Sequence, residues 1–149
     1  MENTNQKLLA SCTSSQESIT DILGYFEYFD GEDSGVTLCA VKFSFGNLAL
    51  FVVAQEDDSF RLYQDGWCPD PKWTSCSLME SAPWSLVKGK SLLWSWVLFN
   101  QQGYLDGLQL EFANNSEDQS IVLQLVAIGC EVKQRIVGYK VKEISPYST

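Results

Sequence analysis

The chain has 149 residues, 45% hydrophobic and 13% aromatic, enough for one cored domain and too apolar for global disorder. Nineteen acidic against ten basic side chains leave a formal net charge of −9, which repels phosphate backbones and anionic lipid surfaces and so disfavours nucleic-acid and membrane binding. There is no histidine, which removes Ser-His-Asp and Cys-His catalysis, imidazole acid–base chemistry and histidine-ligated metals together.

The first residues, MENTNQKLLASCTSS, lack a basic start followed by an apolar run. No apolar stretch approaches the roughly 20 residues that span a bilayer, so a cytoplasmic protein is expected. Ser14-x-x-Glu17 has the form of a capping box ahead of Ile19, Ile22 and Leu23. At most a helical turn is expected near Ser15–Ile19, with a second around Ser77–Val87. Tyr25–Phe29, Val36–Phe45, Leu48–Ala54 and Phe60–Tyr63 are apolar or alternating runs separated by Gly-, Asp- and Asn-rich turns. They predict a four-stranded antiparallel meander. Leu92–Phe99, Leu108–Phe112, Ile121–Ala127 and Val132–Val137 predict a second one.

The two sets correspond at an offset of 70 to 73: Phe26 with Trp96, Phe29 with Phe99, Gly35-Val36-Thr37-Leu38 with Gly107-Leu108-Gln109-Leu110, and Leu50–Ala54 with Leu123–Ala127. Alternation puts Val36, Leu38 and Ala40 on one face, and likewise Leu108, Leu110 and Phe112. The expected fold is mainly β, a single domain in which about eight strands form two duplicated meanders, related by a pseudo-twofold and packed as a sandwich or barrel. The repeat halves run over about 19–64 and 89–138, joined by a Trp-rich crossover over 65–88.

Recognisable chemistries fail on spacing. The five cysteines are scattered and odd in number, which reads as free thiols, and Cys68 and Cys76 have no second pair to complete a zinc site. Gly89-Lys90-Ser91 lacks the glycine of a phosphate loop, because position 84 is Trp84. Asp30-x-Glu32-x-Ser34-Gly35 imitates a calcium loop but reaches Val41 where a bidentate Glu is needed. Asp106 and Glu111 fall on opposite parities of one strand, so they do not form a catalytic carboxylate pair. Asn114-Asn115-Ser116 is a polar turn. Neither a metal nor a cofactor is expected.

Three features remain. The crossover holds Trp67, Trp73 and Trp84 and three of the four prolines; it is either a structural cover or a binding surface. Trp94 and Trp96 share one face of a strand that is apolar on both faces, which reads as a central strand or an aromatic groove. Asn100–Gly107 is a long hairpin loop offering Gln101, Gln102, Tyr104 and Asp106, either a self-satisfied turn or a recognition loop.

The block from Gly89 to Phe112, GKSLLWSWVLFNQQGYLDGLQLEF, resembles a bacterial family of domains of unknown function. The resemblance implies a small standalone bacterial protein and brings no activity or site with it. The expectation is a non-enzymatic module that binds another protein, a basic one given the acidic surface, for instance as an immunity or inhibitor protein against a cationic toxin. Monomer and homodimer are both open. The competing reading is a small-molecule binder or atypical enzyme using the aromatic crossover.

Overall fold

The computed structural model describes residues 4–30, 35–114 and 119–141, with side chains described as far as 137. The expectations placed on Glu32, Ser34, Asn115 and Ser116 fall outside the described residues.

Leu8, Leu9 and Cys12 share one face of a helix, α1 (Thr4–Ser14), and all three are buried in the main core. The Ser11 and Thr13 hydroxyls donate back to the Lys7 and Leu9 carbonyls. Gln16, at a φ of 55°, follows it in the left-handed region. The expected capping box is therefore reversed, since Ser14 closes a helix instead of opening one. Burial of three apolar side chains outweighs the weak helix propensity of the Ser/Thr-rich run.

Beyond Gln16 the chain enters strand directly. Strands β1 (Ile19–Phe29), β2 (Gly35–Phe45), β3 (Leu48–Ala54) and β4 (Phe60–Tyr63) form an antiparallel meander, and β5 (Thr74–Ser77) pairs with β1. The resulting sheet has the order β4-β3-β2-β1-β5. After a short 3-10 turn (Trp84–Val87), strands β6 (Ser91–Phe99), β7 (Leu105–Ala113), β8 (Gln119–Ile128) and β9 (Glu131–Val141) form the second sheet in sequential order. Tight turns set the hairpins: Gly46, at a φ of 59°, starts the two-residue β2–β3 loop, where a side chain would be strained.

The two sheets pack face to face and do not close into a barrel. Ser18 and Ser91 make an isolated bridge, and the Ile19 N–H donates to the Lys90 carbonyl at 2.8 Å, tying the starts of β1 and β6. Phe43, Leu50 and Val52 from one sheet meet Leu108, Leu110, Phe112, Leu123 and Leu125 from the other. Phe43 is the hub: its ring lies 6.2 Å from Phe112, 6.2 Å from Trp84 and 6.5 Å from Phe45. Helix α1 packs against β3, β4 and β6, so it covers the side of the sandwich between the two edge strands β4 and β6.

Three expectations are corrected here. Strand β6 is an edge strand and not a central one; its outer-face Trp94 is 58% exposed. The rule that a strand apolar on both faces is covered twice holds instead for β3, where Leu50 and Val52 face the main core and Phe51 and Val53 a second cluster. Next, Val36, Leu38 and Ala40 do not share a face. Tyr25 pairs with Ala40 but Phe26 pairs with Leu38, so Cys39 is the extra residue of a bulge that resets the alternation. Lastly, β7 begins at Leu105 and not Leu108. Leu98 pairs with Gly107 and Phe99 with Leu105, leaving Asp106 as the extra residue of another bulge.

The meanders share strand order but not register. Phe43 stands opposite Leu50, whereas Leu110, aligned with Leu38 in the sequence, stands opposite Leu123, the counterpart of Leu50.

Gly24 sits at a tight point of the inner face. A Cβ there would stand 2.9 Å from Phe26 Cε2, 3.0 Å from Leu78 Cδ1 and 3.1 Å from Leu38 Cδ1. Gly24→Val is expected to lower the unfolding free energy by about 1–3 kcal/mol in urea titrations. An unchanged midpoint would mean that the three side chains give way.

Candidate functional site

The structure separates the residues singled out in the sequence. Trp84 is 2% exposed and belongs to the main core beside Phe43. Trp67 lies over the outer face of the first sheet, its ring 5.0 Å from Phe51, 5.6 Å from Tyr63 and 6.1 Å from Tyr25. Trp73 follows at 6.2 Å from Trp67. These half-buried tryptophans cap a second cluster made by Tyr25, Ala40, Ala49, Phe51 and Val53. The Asp65 carboxylate anchors the crossover by accepting from the Ala49 N–H at 3.0 Å.

Trp94 and Trp96 stand on the outer face of the second sheet, opposite Glu111 and Gln109. Farther across that sheet, Arg135 Nε donates to Gln124 Oε1 at 2.7 Å and Ser120 Oγ to Glu111 Oε2 at 2.6 Å. Trp94 also borders a cavity of about 340 Å³ shared with Leu9, Ala10 and Thr13 of α1 and Val97 of β6. The β6–β7 loop is held by its own chemistry, because Asn100 Oδ1 accepts from the N–H groups of Gln102 at 2.9 Å and Tyr104 at 3.1 Å. The Gln101, Gln102 and Tyr104 side chains project into solvent, and Asp106 is half-buried in its bulge.

A different constellation assembles at one end of the sandwich. Glu27 of β1, Cys39 of the β2 bulge, Glu56 and Asp57 of the β3–β4 turn, Asp70, Lys72 and Trp73 of the crossover, and Cys130 of the β8–β9 turn line one cleft of about 620 Å³. Asp70 shapes its rim by accepting from the Lys72 N–H at 2.9 Å, while Trp73 donates its own N–H to the Asp70 carbonyl at 3.0 Å. The β8–β9 turn is brought in by the Gly129 N–H, which donates to the Asp58 carboxylate. Four carboxylates against one ammonium make the cleft strongly acidic. Of the residues chosen from sequence, only Trp73 lines it. The others were missed because they come from five separate segments, and each reads locally as turn or strand.

A family model described as a family of unknown function, DUF6334, matches residues 13–139. The chain belongs to this family. No curated protein and no solved structure is found to match it. The DUF6334 match begins within α1 and ends inside β9, so it covers both sheets and the crossover.

Burial controls the thiols of this DUF6334 chain. All five cysteines are free. Desolvation, aided by Asp65, pushes the Cys12 thiol up to about 12, which leaves it protonated and inert at neutral pH. Desolvation and then the Glu27 carboxylate push Cys39 up to about 11, although the Glu27 N–H opposes this by donating to the sulfur. Cys130 is also raised, by partial burial and then by Glu56 and Glu27. Among the described residues, no three His, Cys, Asp or Glu side chains gather as a metal site, and no helix is long and apolar enough to cross a membrane.

The tryptophans are expected to separate in stability measurements. Trp84→Ala should cost about 3–5 kcal/mol by chemical denaturation. Trp94→Ala should stay within about 0.5 kcal/mol. Equal losses from the two would contradict their different burial.

Proposed function

We propose that the chain is a non-catalytic protein-binding module whose acidic cleft receives a basic segment of a partner. The observation that supports this is that Glu27, Glu56, Asp57, Asp70 and Trp73 line one open cleft. Carboxylates attract an Arg or Lys side chain, and an indole face adds cation–π attraction once the cation is partly desolvated. The field of a chain with net charge −9 would also steer a cationic partner toward it. An immunity or inhibitor protein in the bacterial cytoplasm, blocking a cationic toxin, is the concrete form of this reading. Both thiols of the cleft are raised, Cys39 by burial and then Glu27, Cys130 by partial burial and then Glu56 and Glu27, which disfavours thiolate catalysis at neutral pH.

A second reading, a small-molecule binder, is favoured by the apolar cavity between α1 and β6. Its wall is formed by Trp94 and Leu9, while of the crossover tryptophans Trp84 is packed in the main core and Trp73 lines the acidic cleft.

Immobilised wild-type chain and its Glu56→Lys/Asp57→Lys variant, both altered positions being exposed, would be compared as baits in native lysate. Proteins held at about 0.05 M salt should be released by about 0.5 M, where screening is short-ranged. They should bind the variant at least about tenfold more weakly, the effect of losing about 1.4 kcal/mol. Equal capture by both baits sinks the acidic-cleft reading. Loss on Trp94→Ala but not on charge reversal would move the site to the second sheet.

A further inference from the structure

The cleft holds two thiols that belong to opposite sheets. Cys39, only 1% exposed, is the extra residue of the β2 bulge, and its Sγ sits 3.5 Å from the Thr37 carbonyl. Cys130 is exposed in the two-residue turn between β8 and β9, whose neighbour Gly129 is hydrogen-bonded to Asp58 of the first sheet. Both line the same opening. The Gly129–Asp58 hydrogen bond holds the Cys130 turn of the second sheet against the end of the first sheet, where Cys39 opens on the cleft. A bulge is a device for re-aiming one side chain off the ladder, and here that side chain is a thiol on the wall of the cleft that Cys130 also lines.

We propose that Cys39 and Cys130 form a dithiol pair that closes to an intersheet disulfide by exchange with a low-molecular-weight disulfide. The exposed Cys130 thiolate attacks one sulfur of that disulfide, forming a mixed disulfide and expelling one small thiolate, which takes up the proton Cys130 lost. The Cys39 thiolate then attacks Cys130 Sγ, forming the protein disulfide and releasing the second small thiol. In total two protein thiols are oxidised and one small disulfide is reduced to two thiols. The bulge residue is flanked by ladder pairs, so the Gly129-Cys130 turn makes the approach. The groups facing the attacking sulfur are Glu27 from β1, Glu131 at the start of β9 and Cys130 itself, with Glu56, Asp57, Asp70 and Lys72 around the cleft. Burial, and after it the Glu27 carboxylate, holds the second step slow at neutral pH. The pair reports a shift to oxidising conditions whatever the cleft binds.

The test uses the full chain carrying Cys68→Ser and Cys76→Ser, which removes the other exposed thiols and leaves the buried Cys12. The probe is hydroxyethyl disulfide, uncharged so that the carboxylates do not repel it. Intact mass is expected to fall by two hydrogen atoms, with peptide mapping joining Cys39 to Cys130. Adding Cys39→Ala should stop the reaction at a mixed disulfide on Cys130, and adding Cys130→Ser should abolish it. Closure should accelerate about tenfold per pH unit from neutrality upward, following the Cys39 thiolate fraction. A mixed disulfide that persists on Cys130 while Cys39 is present overturns the proposal, as does a bridge to Cys12 or an unreactive parent chain. Should Cys39→Ala fail to fold, the mass of the parent chain decides the matter alone.

Discussion

The contact that orders the rest of the molecule is the stacking of Phe43 on Phe112, with Trp84 closing the group from the crossover. Two meanders, each with one apolar face, must bury those faces on one another, because no other element is large enough to cover them. Phe43 meets the second sheet from near the end of β2, and Phe112 meets the first from β7. Once those faces are joined, the outer face of the first sheet is left with Tyr25, Phe51 and Tyr63 to cover. The crossover does this with Trp67 and Trp73, while its far end inserts Trp84 into the main core.

That covering places the acidic cleft. Trp73 reaches the outer face of the first sheet through the turn at Asp70, and the same turn presents the Asp70 and Lys72 side chains to the opening. The opposite wall is set by the Gly129–Asp58 hydrogen bond, which hangs the β8–β9 turn of one sheet on the β3–β4 turn of the other. Charge, aromatic surface and paired thiols thus meet at a junction of loops on a rigid double sheet, where binding residues concentrate.

The sequence was most informative where period alone decides structure. Eight of the nine described strands were legible, with β3 and β4 matching to the residue, because alternation and turn chemistry are local properties. It was least informative where tertiary contact overrides a local rule. The run Ser11-Cys12-Thr13-Ser14 reads as loop, yet Leu8, Leu9 and Cys12 find a partner surface and the segment becomes α1. The four residues of β5 are all exposed and have no apolar period, so they are strand only because β1 offers an unpaired edge. Trp94 and Trp84 are chemically alike, and only the packing places one in water and the other in the core.

By itself the sequence determined the class, the absence of imidazole chemistry, the acidic field and the tryptophan-rich crossover, since each follows from composition or short-range pattern. The tertiary structure alone decided which tryptophans are exposed, where the bulges fall and which residues share a cleft. Bulges shift register by one residue without any local signature, as at Cys39 and Asp106. The cleft joins Glu27 to Cys130 across most of the chain, a proximity set by sheet-on-sheet packing and invisible to any local pattern.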